Sequence, residues 1–102
     1  MSEWSIYLDI ACQPIPSEDA VCNCSDALER WGFAPAIDSD KNGNVTMQLY
    51  VIASRLRDAI DLAIDTFWQA AEKEGVTDIE LIEVDGCSWE SFISKGEFKA
   101  NE

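Results

Sequence analysis

Acidic side chains are the residues of this chain that could do chemistry. There are 20 Asp and Glu residues against 7 Lys and Arg residues and no His, which gives a formal net charge of −13 over 102 residues. Like charges at this density repel one another in a compact domain, so solubility, a bound cation or a positively charged partner must offset the repulsion. Direct binding to nucleic acid is not expected, because phosphate contacts need Lys and Arg.

One acidic stretch resembles the start of an EF-hand calcium loop. From Asp38 onwards, ligand-type residues occupy the first, third, fifth and ninth positions, with Gly43 at the sixth. The twelfth position should be a bidentate Glu and is Leu49, and the flanking residues alternate as strands do. An Asn-Gly hairpin turn explains the same residues. The candidate calcium ligands are Asp38, Asp40 and Asn42, and no cofactor is expected.

The four cysteines do not form a recognisable metal or redox motif. Their spacing matches no common zinc pattern, and there is no His to complete a mixed site. Cys22 and Cys24 lie two residues apart on a predicted helix, where their side chains diverge by about 200° and cannot chelate one ion. We therefore expect reduced, inert thiols. Without His, a glycine-rich phosphate loop or a credible nucleophile, catalysis is not expected either.

The apolar pattern predicts the order strand, helix, strand, strand, helix, strand. Ser17 is the expected N-cap of the first helix and Ser54 that of the second, while a phase shift after Leu81 indicates a bulge in the last strand. The predicted strands are residues 4–12, 34–40, 45–52 and 77–85, and the predicted helices are residues 18–31 and 54–75. The expected core stripes are Val21, Cys24, Leu28 and Trp31 on the first helix and Leu56, Ile60, Ala63, Phe67 and Ala71 on the second.

This order predicts an α+β fold of the ferredoxin-like β-α-β-β-α-β type. A four-stranded antiparallel sheet would have both helices on one face, followed by a short helical turn at the C-terminal end. We expect a single domain over residues 1–102, with residues 95–102 frayed. Tyr7 and Tyr50 would lie on the open sheet face, which either a second subunit or the C-terminal aromatic segment would cover. That segment contains Trp89, Phe92 and Ile93.

Carboxylates are expected on the outward faces of both helices, since the helical period of 3.6 residues separates them from the core stripes. Trp68 would lie at the boundary, as a lid over the core edge or as an anchor, and Leu62 would point outward. Such a face is either a solvated surface or the docking surface of a basic protein. The residues of the docking interpretation are Asp58, Asp61, Leu62, Asp65, Trp68 and Glu72 on the second helix and Glu18, Asp26 and Glu29 on the first.

These features predict a small acidic, non-enzymatic binding protein that inhibits or neutralises a basic, nucleic-acid-handling protein. Inhibitors of nucleases, immunity proteins and phage anti-defence proteins have this physical character, which includes mimicry of nucleic acid. The alternatives are a dimeric ligand- or calcium-binding regulatory domain and a viral structural component. No apolar run approaches the ~20 residues that span a membrane, and no basic leader is present. A cytoplasmic protein is therefore expected, in the host cytoplasm if it is phage-encoded.

Overall fold

The chain folds into strands and helices in the computed structural model, which describes the backbone of residues 1–100 and the side chains of residues 1–94. We predicted that residues 95–102 are frayed. The side chains of all these residues lie outside the part of the chain that the structure describes, and so does the backbone of residues 101–102. The elements are β1 (Ser2–Gln13), α1 (Glu18–Arg30), β2 (Ala36–Ser39), β3 (Asn44–Ala53), α2 (Leu56–Lys73), β4 (Asp78–Ser88) and α3 (Trp89–Ala100).

The strands form one antiparallel sheet in the order β2-β3-β1-β4. β1 lies in the centre and pairs with β3 on one side and with β4 on the other. The predicted α+β class with a four-stranded antiparallel sheet is confirmed. The physical reason is that β1 and β3 both alternate apolar and polar residues, so each can bury one face.

The predicted bulge in the last strand is confirmed. The register of β1 against β4 shifts between Asp9 and Ile10, which pair with Glu83 and Leu81 respectively. Ile82 is therefore the extra residue of β4. Because of this insertion, Leu81 and Val84 both lie on the sheet face that the first two helices cover, opposite Ile10 and Leu8.

The core lies between that sheet face and the helices α1 and α2. The inward residues of β1 and β3 are almost completely buried and pack with apolar residues of both helices, so the predicted placement of two helices on one face is confirmed. Ser17 caps α1 as predicted, because its Oγ accepts a hydrogen bond from the Ala20 backbone N–H at 3.1 Å. The buried strand residues are Ile6, Leu8, Ile10, Cys12, Val45, Met47, Leu49 and Val51.

Helix α2 faces the sheet mainly with alanines. Ala59 and Ala63 are fully buried, whereas Leu56 and Ile60, which we predicted in the core stripe, are only half-buried at its side. Alanines let the helix approach the sheet closely, which rotates the bulky residues away from the centre of the contact. The predicted cap is also wrong: the N-cap residue is Arg55, and it makes no side-chain capping bond.

Two further predictions are corrected by the structure. Trp31 does not belong to the core stripe of α1: it is 42% exposed, and Lys73 Nζ lies 5.2 Å from the centroid of its ring. The cation over an exposed indole makes an outward position favourable for Trp31.

The expected short C-terminal turn is a helix of 12 residues, α3. Its first turn is capped by Ser88 Oγ, which accepts a hydrogen bond from the Ser91 backbone N–H at 3.1 Å.

The start of α3 covers one end of the open sheet face, which is the face opposite α1 and α2. The ring of Trp89 meets that of Tyr50 edge-on at 4.9 Å between centroids, and Phe92 lies 5.4 Å from Trp89. Coverage by Trp89, Phe92 and Ile93 was one of the two predicted alternatives. Trp89 contacts Tyr50, whereas Phe92 is 36% exposed and Ile93 is 42% exposed. Tyr50 is therefore shielded by the chain's own residues.

Candidate functional site

The largest group of carboxylates projects from α1 and α2 and is here called the acidic helical layer. Its side chains are all exposed, because the opposite face of each helix is buried against the sheet. α1 and α2 lie side by side, with a groove between them. The members of the layer are Glu18, Asp19, Asp26 and Glu29 on α1 and Asp58, Asp61, Asp65 and Glu72 on α2.

Two apolar side chains accompany the carboxylates of α2. Leu62 is 42% exposed, so it is free to contact another molecule. Trp68 is half-buried, packs against the core, and its ring lies 6.0 Å from that of Phe67 in an edge-on arrangement. Trp68 thus covers the core edge and still presents part of its indole at the surface.

A shallow groove of about 700 Å³ runs between α1 and α2. Asn23 Nδ2 donates a hydrogen bond to Glu74 Oε1 across it at 2.8 Å. Arg30 and Lys73 also line the groove, so one base of each helix lies between the acidic faces. Arg57, also on α2, is exposed and is not among the residues that line the groove. The sequence did not indicate the contributions of Asn23 and Glu74, because helix periodicity does not say which faces of two helices meet.

The open sheet face is a second acidic surface. The carboxylates of Asp9 and Glu83 are neighbours across the β1–β4 pair, and Asp85 lies opposite Tyr7. Burial raises the pKa of Tyr7, and the negative charges of Asp9 and Glu83 raise it further. Asp9 Oδ1 is shielded from solvent and accepts no hydrogen bond from the residues that the structure describes.

The EF-hand-like stretch forms the β2–β3 hairpin. Asp40 Oδ1 accepts the backbone N–H of Asn42 at 2.8 Å and that of Asn44 at 3.0 Å. Gly43 takes a positive φ of 88°, as the Asn-Gly turn predicted. In the described part of the chain, no group of three or more Cys, Asp and Glu side chains is arranged to hold a metal ion. Of the candidate ligands Asp38, Asp40 and Asn42, Asp40 serves as the acceptor of backbone N–H groups within the turn.

Asp40→Ala should lower the free energy of unfolding by about 1–2 kcal/mol, the range seen when a side-chain acceptor of backbone N–H groups is deleted. The matched control is Asp38→Ala, since among the described side chains the Asp38 carboxylate accepts only the backbone N–H of its neighbour Ser39, at 2.9 Å. Urea unfolding of both variants measures the difference. Equal losses for the two variants would show that Asp40 does not hold the turn.

Burial makes two of the cysteines poor nucleophiles. The pKa of Cys24 is raised to about 11, first by burial and then by the charge of Glu74 and by Cys12. Burial also raises the pKa of Cys12. Both thiols stay protonated at neutral pH, and the thiolate is the reactive form. Cys22, in contrast, is exposed on α1, as helix periodicity predicted.

No protein family, no characterised protein and no solved structure matched this chain. Among the residues described, none of the helices combines the length and the apolar character that crossing a membrane requires. The function therefore has to be argued from the surfaces described above.

Proposed function

We propose that this chain is a small acidic, non-enzymatic binding protein that inhibits or neutralises a basic, nucleic-acid-handling protein. The contact would be the acidic helical layer with Leu62 and the exposed part of Trp68. This is the physical character of nuclease inhibitors, immunity proteins and phage anti-defence proteins. In such a role the chain would act in the cytoplasm, or in the host cytoplasm if it is phage-encoded.

The observation that best supports the proposal is the row of exposed carboxylates along α2. Asp58, Asp61, Asp65 and Glu72 are spaced by one to two helical turns, and all of them are exposed. Side chains one turn apart are separated by about 5–6 Å, which is similar to the spacing of phosphates along a nucleic-acid strand. A protein groove that binds phosphates could therefore accept this row.

Apolar side chains beside the row would add affinity. Charges at the rim of an interface mainly increase the association rate, whereas affinity comes from a few desolvated anchors, with tryptophan the most frequent. Leu62 and Trp68 are in position to supply such anchors.

The finer fold assignment belongs to the same proposal. We assign the sheet with α1 and α2 to the ferredoxin-like type, because in the β-α-β-β-α-β order each helix connects two parallel strands that have one antiparallel strand between them. This architecture supports many functions, so it leaves the function to be argued from the surface.

Affinity capture from the native host, at low and at high salt, tests the proposed function. The captured protein is identified, and its activity on nucleic acid is measured with and without this chain. We expect a basic protein that is inhibited by the chain and released at about 1 M salt, where the Debye length falls to about 3 Å.

The double substitution Asp61→Lys with Asp65→Lys should weaken binding to the captured partner at least tenfold, or by ~1.4 kcal/mol. Glu3→Lys with Glu90→Lys is the matched control, because it changes the net charge equally at exposed positions outside α1 and α2. The proposal is wrong if the first pair leaves both the affinity and its salt dependence unchanged.

A further inference from the structure

Large apolar residues of α2 line the side of the helix next to β4. Leu56, Ile60, Ile64 and Trp68 follow one another at four-residue intervals, and each is half-buried against the core. The row starts over β4, because a Cβ built at Gly86 would lie only 2.7 Å from Leu56 Cδ1. The α2–β4 connection is short, so the helix runs antiparallel to the strand.

β4 forms an edge of the sheet, since among the described residues it pairs with β1 alone. Its backbone N–H and C=O groups on the other side are open to pairing over a strand of 11 residues. The apolar side chains of β4 are also uncovered: Leu81 and Val84 are each 37% exposed, and Ile82 is 54% exposed. With the outer part of the α2 row they form an apolar edge strip, composed of Ile60, Ile64, Trp68, Leu81, Ile82 and Val84.

Carboxylates border the apolar edge strip on both sides. Glu80, Glu83 and Asp85 project from the open sheet face of β4, and the acidic helical layer passes the strip with Asp61 and Asp65. β4 itself contains no Lys or Arg. An occupant of this edge must therefore supply positive charges on one face and apolar side chains on the other.

A second copy of this chain does not meet that requirement. Antiparallel pairing of two β4 strands would bring the carboxylates of both copies onto one face, and like charges opposite one another destabilise a sheet. The carboxylates thus protect this edge against self-association.

We propose that the free edge of β4 accepts an extended segment of a partner protein in which Lys or Arg residues alternate with apolar residues. The segment would add a fifth strand: its backbone would pair with β4, its apolar residues would lie on the apolar edge strip, and its cations would face Glu80, Glu83 and Asp85. This mode of recognition takes affinity from main-chain hydrogen bonds and specificity from alternate side chains. It rests on the proposed function only for the positive charge of the partner, since it uses a different surface.

A pair of peptides of the same composition tests strand addition. The first alternates, acetyl-Arg-Val-Arg-Val-Arg-Val-Arg-amide, and the second has the four arginines before the three valines. Calorimetry at low salt should give at least about tenfold tighter binding for the alternating peptide, because only it can present one basic and one apolar face. Hydrogen exchange should slow at backbone amides of β4 when it binds.

Ile82→Arg should weaken binding of the alternating peptide about tenfold, since it adds a like charge to the apolar edge strip. Ile52→Arg is the matched control, because Ile52 is 50% exposed and lies on β3, away from this edge. This control makes the same chemical change, and we expect it to weaken binding of the alternating peptide by less than about threefold.

Equal binding of the two peptides, or equal effects of the two Ile substitutions, would overturn strand addition. The proposed function would still stand if Asp61→Lys with Asp65→Lys weakened binding of the captured partner. Conversely, a selective effect of Ile82→Arg on the alternating peptide supports strand addition even where the helical substitutions have no effect on that partner.

Discussion

Gly43→Ala should lower the free energy of unfolding by about 2–4 kcal/mol. A left-handed backbone costs an ordinary residue about 1 kcal/mol or more, and overpacking typically costs about 1–3 kcal/mol in addition. Both apply at Gly43: φ is 88°, and a Cβ would lie 2.7 Å from the backbone oxygen of Cys12 and 3.3 Å from Ile15 Cγ1. The backbone oxygen cannot rotate aside as a side chain could. The hairpin tip cannot withdraw either, because the Cys12 N–H donates to Gly43 O at 2.8 Å.

Gly32→Ala separates the two contributions. Gly32 has almost the same φ, 89°, but a Cβ there would meet nothing within 4 Å. We therefore expect a loss of only about 1 kcal/mol. Urea unfolding of both variants and of the parent chain gives the comparison. If the two substitutions cost the same, the close approach of the hairpin tip to β1 has no energetic consequence.

Alkaline pH should destabilise the fold through Cys24. The pKa of this thiol is raised from 9.0 to about 11, so between these values the folded state keeps a proton that the unfolded state releases. The stabilisation is fully present below pH 9 and is lost as the pH rises towards 11. At 1.36 kcal/mol per pH unit, two units correspond to about 2–3 kcal/mol. The pKa of Cys12, Tyr7 and Tyr50 is also raised, which acts in the same direction.

Cys24→Ala isolates the contribution of this one thiol. Denaturant unfolding between pH 8 and 11 should show that the free energy of unfolding falls less steeply with pH in the variant than in the parent chain. The comparison uses the slope, so a constant change in stability caused by removing the sulfur does not affect it. Cys22→Ala is the matched control, because Cys22 is exposed on the same helix. An unchanged slope in the Cys24 variant would mean that this thiol ionises alike in the folded and unfolded states.

The central strands could be predicted from the sequence because their environment is simple. β1 and β3 bury one face and present the other, so Ile6, Leu8 and Ile10 alternate with polar residues over the whole strand. The bulge was also visible, because an inserted Ile82 changes the side to which the apolar residues point. In each case one backbone period determines which side chains are buried.

The orientation of α2 could not be predicted in the same way. Ala63, Phe67 and Ala71 of the predicted stripe are buried. Hydrophobic periodicity also weights Leu56 and Ile60 above alanine, but the distance of closest approach to the sheet selects Ala59 for the contact in their place. The prediction that the carboxylates point outward is nevertheless confirmed. They lie on the side of α2 opposite the sheet, whether the inward face is centred on the alanines or on the larger apolar residues. The groove between the helices and the apolar edge strip depend on neighbours distant in sequence, which no local pattern contains.

The central position of β1 has a consequence for the order of synthesis and folding. β1 is made before every other strand described, yet its two partners, β3 and β4, are the last of the four to be made. Until residue 88 has left the ribosome, one edge of β1 has no strand to pair with, so the sheet is completed late in translation or after it. Pairings this distant in sequence slow folding. During this interval the excess of Asp and Glu over Lys and Arg gives nascent chains a negative charge, which makes them repel one another while their apolar strands are unpaired.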